Sequence, residues 1–350
     1  MGLLDYRLEY KDANADFEYE EAYKYFEKQN MVHWVWTEVP MGRDVQDWKM
    51  NLTAAEKNVV GNILKGFAQT EVIVNEYWAS KVYGWFPKPE IRMMAAAFAN
   101  MEGVHTKAYA YLNEELDLED YGAFLEDPES KAKIDYLTKT PRIHGAGGKW
   151  KLSEKKAVAR SLAIFSAFTE GVNLFSSFAI LLNFKRFNKL KSVGNIVEWS
   201  VRDESMHSQA GCWLFRTFVQ EYPEVLDDLL KGDIYEAARE TVALECDFID
   251  KVFELGSIEG VEPEDLKNFI KHRANVKLGD LGFKANWKNI DKDALLRMTW
   301  FDNMTAGAQS TDFFDSKVTQ YSKGNINWDG AMNFDMKHFI ETFGGPEWLG

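Results

Sequence analysis

Helical periodicity is the feature that most restricts the fold of this chain. Apolar residues recur at helical spacing in runs of about 25 to 30 residues, against a mean helix of roughly 11 to 12. Proline, which ends helices, is scarce, at 8 of 350 residues. Long helices joined by short turns form antiparallel bundles, so the sequence predicts an all-α fold. The breaks between the predicted helices are residues 83–90, 126–133, 141–153 and 187–194.

Composition limits the classes of partner and the cellular compartment that we expect for this protein. The formal net charge of −14 and the pI near 5.0 argue against nucleic acid and anionic membranes, which attract clustered Lys and Arg. Only two cysteines occur, Cys212 and Cys246, and their unrelated contexts argue against a disulfide framework and a thiolate metal site. The first residues contain no targeting signal. We therefore expect a cytoplasmic protein that binds neither nucleic acid nor membrane.

One apolar stretch, residues 161–184 (SLAIFSAFTEGVNLFSSFAILLNF), is long enough to cross a bilayer. Its single charged residue, Glu170, lies near the centre, where a carboxylate is costly in lipid. We therefore predict a helix that is buried on all sides within a water-soluble bundle.

Two helix starts can be located from their capping residues. Thr53 is a candidate cap, with Glu56 three residues later as its reciprocal partner. Ser153 precedes the long apolar stretch and is the candidate cap of that helix.

Two Glu-x-x-His pairs lie on apolar helices. They are Glu102 with His105, and Glu204 with His207. Residues three apart share a helix face, so each pair offers one metal ion an oxygen and a nitrogen ligand. A single pair occurs by chance on a solvated face, whereas two pairs on apolar faces are much more specific.

A further glutamate lies upstream of each pair. Glu71 precedes Glu102 by 31 residues, and Glu170 precedes Glu204 by 34. In an antiparallel hairpin, Glu71 and Glu102 both lie about 18 Å from the turn between them. The second hairpin repeats this arrangement to within about one turn. Four carboxylates and two imidazoles then converge in one layer of a four-helix bundle, which is the known ligand set of ferritin-like dimetal proteins.

The charge of this layer also predicts metal. Four buried carboxylates repel one another unless cations hold them ionised, and two divalent ions supply the four positive charges required. Core ion pairs are the alternative, but no Lys or Arg lies on these faces near Glu71 or Glu170. An oxygen-rich set with two nitrogens suits Fe or Mn. The predicted ligands are Glu71, Glu102, His105, Glu170, Glu204 and His207.

Tyr109 follows His105 by four residues and therefore projects from the same helix face towards the predicted metals. A buried tyrosine with a hydrogen-bonded hydroxyl group would fit the pattern equally well. Dimetal bundles store iron, oxidise substrates or generate radicals, so the fold and the ligands leave the function open.

Five longer stretches carry a more specific signal. They are FANMEGVHTKAYAYL, FTEGVNLFSSFAILLNF, WSVRDESMHS, EVPMGRDVQDW and STDFFDSKVTQYSKGN. With them the chain resembles the radical-generating beta subunit of class I ribonucleotide reductase, over nearly its whole length to about residue 325.

The resemblance implies roles for several residues. Tyr109 would be oxidised to a stable radical by the metal pair held at the six predicted ligands. Trp34 and Asp203 would form a hydrogen-bonded relay with His105, and Trp36 is the second candidate for the tryptophan. The apolar wall that protects the radical would be formed by Leu174 and Phe178.

The sequence departs from this family in two places. The first ligand is Glu71, where many members have aspartate, so the metals are two Fe, two Mn or a mixed Mn/Fe pair, with iron slightly favoured. Manganese would allow the oxidant to rest on the metals instead of Tyr109. No tyrosine follows Tyr321, which leaves Trp328 and Trp348 as relay candidates near the end of the chain.

The resemblance also predicts partners. Ribonucleotide reduction needs redox-active thiols, and two scattered cysteines cannot supply them, so a separate catalytic (alpha) subunit must. We expect a homodimer of ferritin-like domains, residues 1–325, with a flexible tail, residues 326–350, that docks to this partner. Two alternatives remain at this point: a ferritin-like dimetal oxidase acting on a lipid-like ligand, and a metal-storage or structural bundle.

Overall fold

The computed structural model describes residues 2–5, 17–118 and 150–319, and the described residues are helical, with no strand among them. The all-α prediction is confirmed. The long helices are α1 (Glu20–Met31), α2 (Ala54–Glu76), α3 (Pro89–Glu115), α4 (Leu152–Ile164), α5 (Phe175–Arg186), α6 (Lys191–Glu221), α7 (Asp228–Val252), α8 (Pro263–Asp280) and α9 (Lys292–Thr319).

Two helical hairpins form the centre of the bundle. Helices α2 and α3 pack along each other, as do α5 and α6. The first hairpin turns through a π-helical segment, Tyr77–Val82, and a short helix, Tyr83–Trp85, before Pro89 opens α3. The second turns at Leu190, which has a left-handed backbone (φ 46°). The second turn falls within the predicted break 187–194, whereas the first begins in the π-helical segment before the predicted break 83–90.

Buried carboxylates fix the start of α6, the helix that carries Glu204 and His207. Asp44 accepts a hydrogen bond from the Val193 amide at 2.8 Å, and Asp47 accepts one from the Leu190 amide at 3.1 Å. These amides belong to the end of a helix that otherwise leaves its first N–H groups unpaired. The short helix Gly42–Gln46 therefore sets the position of α6 along its axis.

Of the two predicted helix caps, the structure contains one and lacks the other. Thr53 caps α2, because its hydroxyl group accepts from the Glu56 amide and Glu56 accepts from the Thr53 amide. The prediction for Ser153 is wrong, since α4 begins at Leu152 and Ser153 lies inside its first turn. Glu154 supplies the cap there by accepting from the Lys151 amide at 2.8 Å.

The apolar stretch 161–184 is buried as predicted, but it is not one continuous helix. Helix α4 ends at Ile164, a π-helical segment follows at Phe165–Thr169, and α5 begins at Phe175. A Cβ atom at Gly171 would lie 2.3 Å from the Ala167 carbonyl oxygen, so only glycine fits this break. Glu170 lies within this break, directly after the π-helical segment.

No helix among the described residues is long and apolar enough to cross a membrane. Helix α9 extends to Thr319 and so includes the first part of the stretch STDFFDSKVTQYSKGN. The predicted break at 126–133, most of the break at 141–153, and the tail at 326–350 lie outside the described residues.

Candidate metal centre

Four elements of the bundle bring the predicted ligands together. Helix α2 supplies one glutamate, α3 and α6 each supply a Glu-x-x-His pair, and the break between α4 and α5 supplies the last glutamate. None of the six side chains is exposed to solvent. They are Glu71, Glu102, His105, Glu170, Glu204 and His207.

The six side chains form two overlapping groups. One consists of Glu71, Glu102, His105 and Glu204, and the other consists of Glu102, Glu170, Glu204 and His207. Within each group the potential ligand atoms lie within 4.8 Å of one another. Both groups contain Glu102 and Glu204, so two carboxylates are shared. This arrangement fits a dinuclear metal site with two bridging ligands.

Both histidines present the same ring nitrogen to the carboxylates. His105 Nδ1 lies 3.2 Å from Glu102 Oε2 and 3.0 Å from Glu204 Oε1, and His207 Nδ1 lies 2.6 Å from Glu102 Oε1. The other nitrogen of each ring has an outer partner. His105 Nε2 lies 3.2 Å from Asp203 Oδ2, and His207 Nε2 lies 2.8 Å from Gln29 Oε1. Such outer partners fix the ring orientation of metal-binding histidines.

Several carboxylate oxygens have no hydrogen-bond partner among the described residues. Both oxygens of Glu71 are of this kind, as are Glu204 Oε2 and Glu170 Oε2. A buried polar atom without a partner is costly, and coordination of a cation removes that cost. The donor set of four carboxylates and two imidazoles therefore fits a pair of Fe or Mn ions.

Burial of four carboxylates and two imidazoles in one layer shifts the pKa values of these side chains. Burial raises the pKa of Glu102 to about 7 and that of Glu204 to about 8, and it raises the pKa values of Glu71 and Glu170 well above the usual range. Burial lowers the pKa of His207 to about 4. A cation at the site would reverse the effect on the carboxylates by favouring their charged form.

The metal-free protein should lose stability as pH rises from about 5 to about 8. The pKa values of Glu102 and Glu204 are raised in the folded state, so the folded state binds more protons than the unfolded chain over this interval. Its free energy of unfolding then falls as these protons leave. The melting temperature of chelator-treated protein measures this effect. Glu102→Gln should flatten the dependence, and Mn(II) should reverse it, whereas a melting temperature independent of pH would contradict it.

Tyr109 lies beside the first group of ligands and is completely buried. Burial and the charge of Glu71 raise its pKa well above the ordinary value, and the Ser200 hydroxyl group acts in the opposite direction. The Phe67 ring lies 4.7 Å from the Tyr109 ring and 5.1 Å from the Phe178 ring, measured between centroids. The predicted wall residues Leu174 and Phe178 are both buried.

Asp203 connects Trp34 to His105. The Trp34 indole Nε1 donates to Asp203 Oδ2 at 2.8 Å, and the same oxygen lies 3.2 Å from His105 Nε2. The Trp34 ring also stacks on His105, with centroids 5.6 Å apart and an interplanar angle of 25°. Trp36 is half-buried on another face, where the Lys107 ammonium group lies 5.9 Å from its ring. The tryptophan that contacts Asp203 is thus Trp34.

Three residues of the site were missed in the sequence. The Gln29 side-chain amide connects Asp203 to the predicted ligand His207. Its nitrogen donates to Asp203 Oδ1 at 3.3 Å, and its oxygen accepts from His207. Trp78 Nε1 donates to Glu170 Oε1 at 2.7 Å. Trp78 follows Glu71 by seven residues, about two helical turns, so its position could have been inferred. Phe67 precedes Glu71 by four residues and shares its helix face, but an apolar residue there fits an ordinary core position equally well. No local pattern marks Gln29, because it reaches the site through tertiary packing.

Comparison with known proteins identifies the family. Residues 14–293 match the family model "Ribonucleotide reductase, small chain". The chain belongs to this family. It is 34% identical to the probable ribonucleoside-diphosphate reductase small subunit of invertebrate iridescent virus 6, over 95% of this chain and 98% of the relative. It is 27% identical to the ribonucleoside-diphosphate reductase beta subunit of Chlamydia pneumoniae, over 85% of this chain and 86% of that protein.

Solved structures of ribonucleotide reductase small subunits share the fold. The R2 subunit from Clostridium botulinum has a TM-score of 0.71 at 18% identity, covering 85% of this chain and 91% of that one. The dimanganese(II) NrdF of Streptococcus sanguinis has a TM-score of 0.67 at 22% identity, covering 83% and 100%. The prediction of a ferritin-like class I ribonucleotide reductase small subunit is confirmed. The alternative of a dimetal oxidase for a lipid-like ligand receives no support.

Proposed function

We propose that the two overlapping ligand groups hold the dimetal centre of this small subunit and that Tyr109 stores the one-electron oxidant. The observation that carries the proposal is the sharing of Glu102 and Glu204 between two buried groups, with Tyr109 against one of them. The metal pair, once bound and oxidised, supplies the oxidising equivalent. The protein supplies the ligands, the exclusion of water and a path for the electron.

The path begins at His105 and runs through Asp203 to Trp34. Burial opposes ionisation of Asp203, but the hydrogen bond to His105 and the charge of Arg202 outweigh it and hold the pKa of Asp203 below its usual range. An ionised Asp203 stabilises a positive charge on the Trp34 ring through the hydrogen bond from its indole nitrogen. We therefore assign Trp34 and Asp203 as the relay between the metal centre and the outside of the protein.

Iron is slightly favoured over manganese at this centre, and a mixed pair is the third composition that the ligands allow. The choice of metal depends on Glu71, because the resemblance implies that many members of the family have aspartate at this ligand position. Glu71 belongs to one of the two ligand groups, and neither of its oxygens has a hydrogen-bond partner among the described residues, so both are available to the ion of that group. Metal analysis together with electron paramagnetic resonance of the isolated protein distinguishes the three compositions.

The proposed partner is the catalytic alpha subunit. Both cysteines are unpaired thiols, with Cys212 buried and Cys246 partly buried, and burial raises the pKa of Cys246 to about 11. The two do not form a pair, so they do not supply the redox-active thiols that ribonucleotide reduction needs. The thiols must therefore belong to another chain, to which we propose that residues 326–350 dock.

Removal of residues 326–350 should abolish ribonucleotide reduction in the presence of the alpha subunit. The truncated protein should keep its metal content and its spectroscopic signal, because every described ligand lies before residue 208. Activity and metal content are measured on the same preparation. As a control, a peptide with the sequence of residues 326–350 should inhibit the full-length protein. Undiminished activity after truncation would place docking elsewhere.

We also propose that the protein is a homodimer, as is one of its structural neighbours, the Rnr4 homodimer of Saccharomyces cerevisiae. One face of α3 supports this. Between residues 96 and 110, its exposed residues follow alternating spacings of four and three positions, which form a straight seam along a helix. Most of them are small, which lets a second helix approach closely. They are Ala96, Asn100, Gly103, Lys107 and Ala110.

Gly103→Arg should convert the dimer to a monomer. A side chain at Gly103 meets only Asn75 Nδ2, at 4.0 Å, within the single chain, so the substitution is tolerated unless a second chain covers the seam. Gly232→Arg is the matched control, because Gly232 is an exposed helical glycine of α7 with nothing within 4 Å of an added Cβ atom. Sedimentation velocity measures the masses. A Gly103→Arg variant that remains dimeric would exclude this face as the interface.

A further inference from the structure

The Trp34 ring has two aromatic neighbours. It stacks on His105, and the Trp199 ring lies 5.2 Å away between centroids, at an angle of 46°. Among the described residues, these two are the ring contacts of Trp34. Trp199 is therefore the aromatic neighbour of Trp34 that is not itself a predicted metal ligand.

Burial distinguishes the two tryptophans. Trp34 is only 3% exposed and lies inside the hydrophobic core. Trp199 is half-buried and packs against the edge of that core. A relay that ended at Trp34 would end beneath the surface, whereas one that continues to Trp199 reaches it.

Helix α6 fixes both partners of Trp34 at once. Trp199 precedes Asp203 by four residues, so the two side chains are neighbours on one helix face. Arg202 from the same turn donates to the Val32 carbonyl oxygen at 2.8 Å and ties α6 to the segment that leads into Trp34. The contact between the two indole rings therefore belongs to the same rigid arrangement as the hydrogen bond from Trp34 to Asp203.

We propose that Trp199 is the surface end of the Trp34 relay, the residue through which oxidised Trp34 receives an electron from outside the protein. In this step one electron passes from the Trp199 ring to the Trp34 radical cation. Trp34 returns to the neutral indole, and its N–H proton stays in the hydrogen bond to Asp203. Trp199 becomes the radical cation, and no bond forms or breaks. A one-electron donor at the surface then reduces Trp199.

The surroundings of each ring stabilise a positive charge on it, so the electron can pass between Trp199 and Trp34 in either direction. The carboxylate of Asp203 stabilises a positive charge on Trp34 inside the core. Water stabilises a positive charge on Trp199, because the ring reaches the surface. Neither ring is left with a buried and uncompensated charge. The inference rests on the proposed role of Trp34, and the experiment must therefore separate the two residues.

The test measures reduction of the oxidised, metal-loaded protein by ascorbate without the catalytic subunit, followed as the decay of its electron paramagnetic resonance signal. We expect Trp199→Phe to slow this decay on the order of tenfold, because phenylalanine keeps the packing and cannot be oxidised. Trp199→Tyr should restore most of the rate. Trp213→Phe is the matched control and should leave the rate unchanged, since Trp213 is a half-buried tryptophan of α6 that packs on Tyr25.

Trp34→Phe separates this inference from the proposed relay. If Trp34→Phe slows the decay and Trp199→Phe does not, the relay stands and Trp199 is not its surface end. If neither variant slows the decay, the relay itself fails and the inference fails with it. If a packing change were the cause, Trp199→Tyr would not restore the rate and Trp199 would have only a structural role. Metal content and melting temperature are matched across the variants before the comparison.

The electron donor in the working enzyme is identified by a second measurement on the same samples. Turnover with the catalytic subunit that falls in Trp199→Phe, and recovers in Trp199→Tyr, shows that the partner donates through Trp199. Normal turnover combined with slow reduction by ascorbate shows that Trp199 serves small reductants during assembly of the oxidised centre.

Discussion

Tyr109→Phe is expected to abolish ribonucleotide reduction with the catalytic subunit while both metals remain bound. The phenol of Tyr109 can lose one electron and one proton to an oxidised metal pair, and phenylalanine cannot. The side chain is completely buried beside the ligand Glu71, with the Phe67 ring 4.7 Å away. Water-borne reductants cannot reach a radical at that position, which makes Tyr109 suited to store the oxidising equivalent.

The substitution is also structurally mild. It removes a single oxygen atom and keeps the ring that packs on Phe67, so we expect little change in the free energy of unfolding. Tyr77→Phe is the matched control. Tyr77 is equally buried and stacks on Phe165, with centroids 3.5 Å apart, but it lies on the side of the site that Trp78 occupies. This control should retain its activity and its radical signal.

Activity and electron paramagnetic resonance decide between two sites for the stored oxidant. Loss of both in Tyr109→Phe, at unchanged metal content, supports a tyrosyl radical. Turnover that continues in the variant would show that the metals hold the oxidant and that Tyr109 is a packing residue. The second outcome would agree with a manganese-containing centre, which Glu71 allows alongside iron.

The sequence was most informative where a local rule determines the structure. Residues three or four apart on a helix must share a face, so Glu102, His105 and Tyr109 could be placed on one face before the fold was known. The approximate height of Glu71 followed from counting residues to the turn. Charge balance then required cations. The bundle and the convergence of the ligands were therefore predictable from spacing and electrostatics.

The remaining features depend on packing that spacing does not encode. The π-helical segment before Glu170 interrupts what reads as one apolar helix, and its break is possible because Gly171 has no Cβ atom. Gln29 reaches Asp203 and His207 from a helix more than 170 residues away in sequence. Phe67 lies on the apolar face of α2, where any large apolar residue would fit the pattern equally well. Long-range contacts of this kind carry no periodic signal.

Loss of a carboxylate that both ligand groups share should change the number of metal ions bound per chain. Glu102 belongs to both ligand groups, whereas Glu71 belongs to one. Glu102→Ala should therefore reduce the metal content from roughly two ions per chain to nearly none, and Glu71→Ala should leave roughly one. Anomalous scattering and elemental analysis after reconstitution with Mn(II) or Fe(II) measure the occupancies.

The metal-free variants provide the control for folding. Removing Glu102 takes away one of several mutually repelling carboxylates, so chelator-treated Glu102→Ala should melt no lower than the chelator-treated parent at about pH 8. Added metal should raise the melting temperature of the parent strongly, that of Glu71→Ala weakly, and that of Glu102→Ala hardly at all, because only binding to the folded state stabilises it. Loss of one ion in each variant would mean that Glu102 serves a single ion, and would contradict the assignment of Glu102 to both groups.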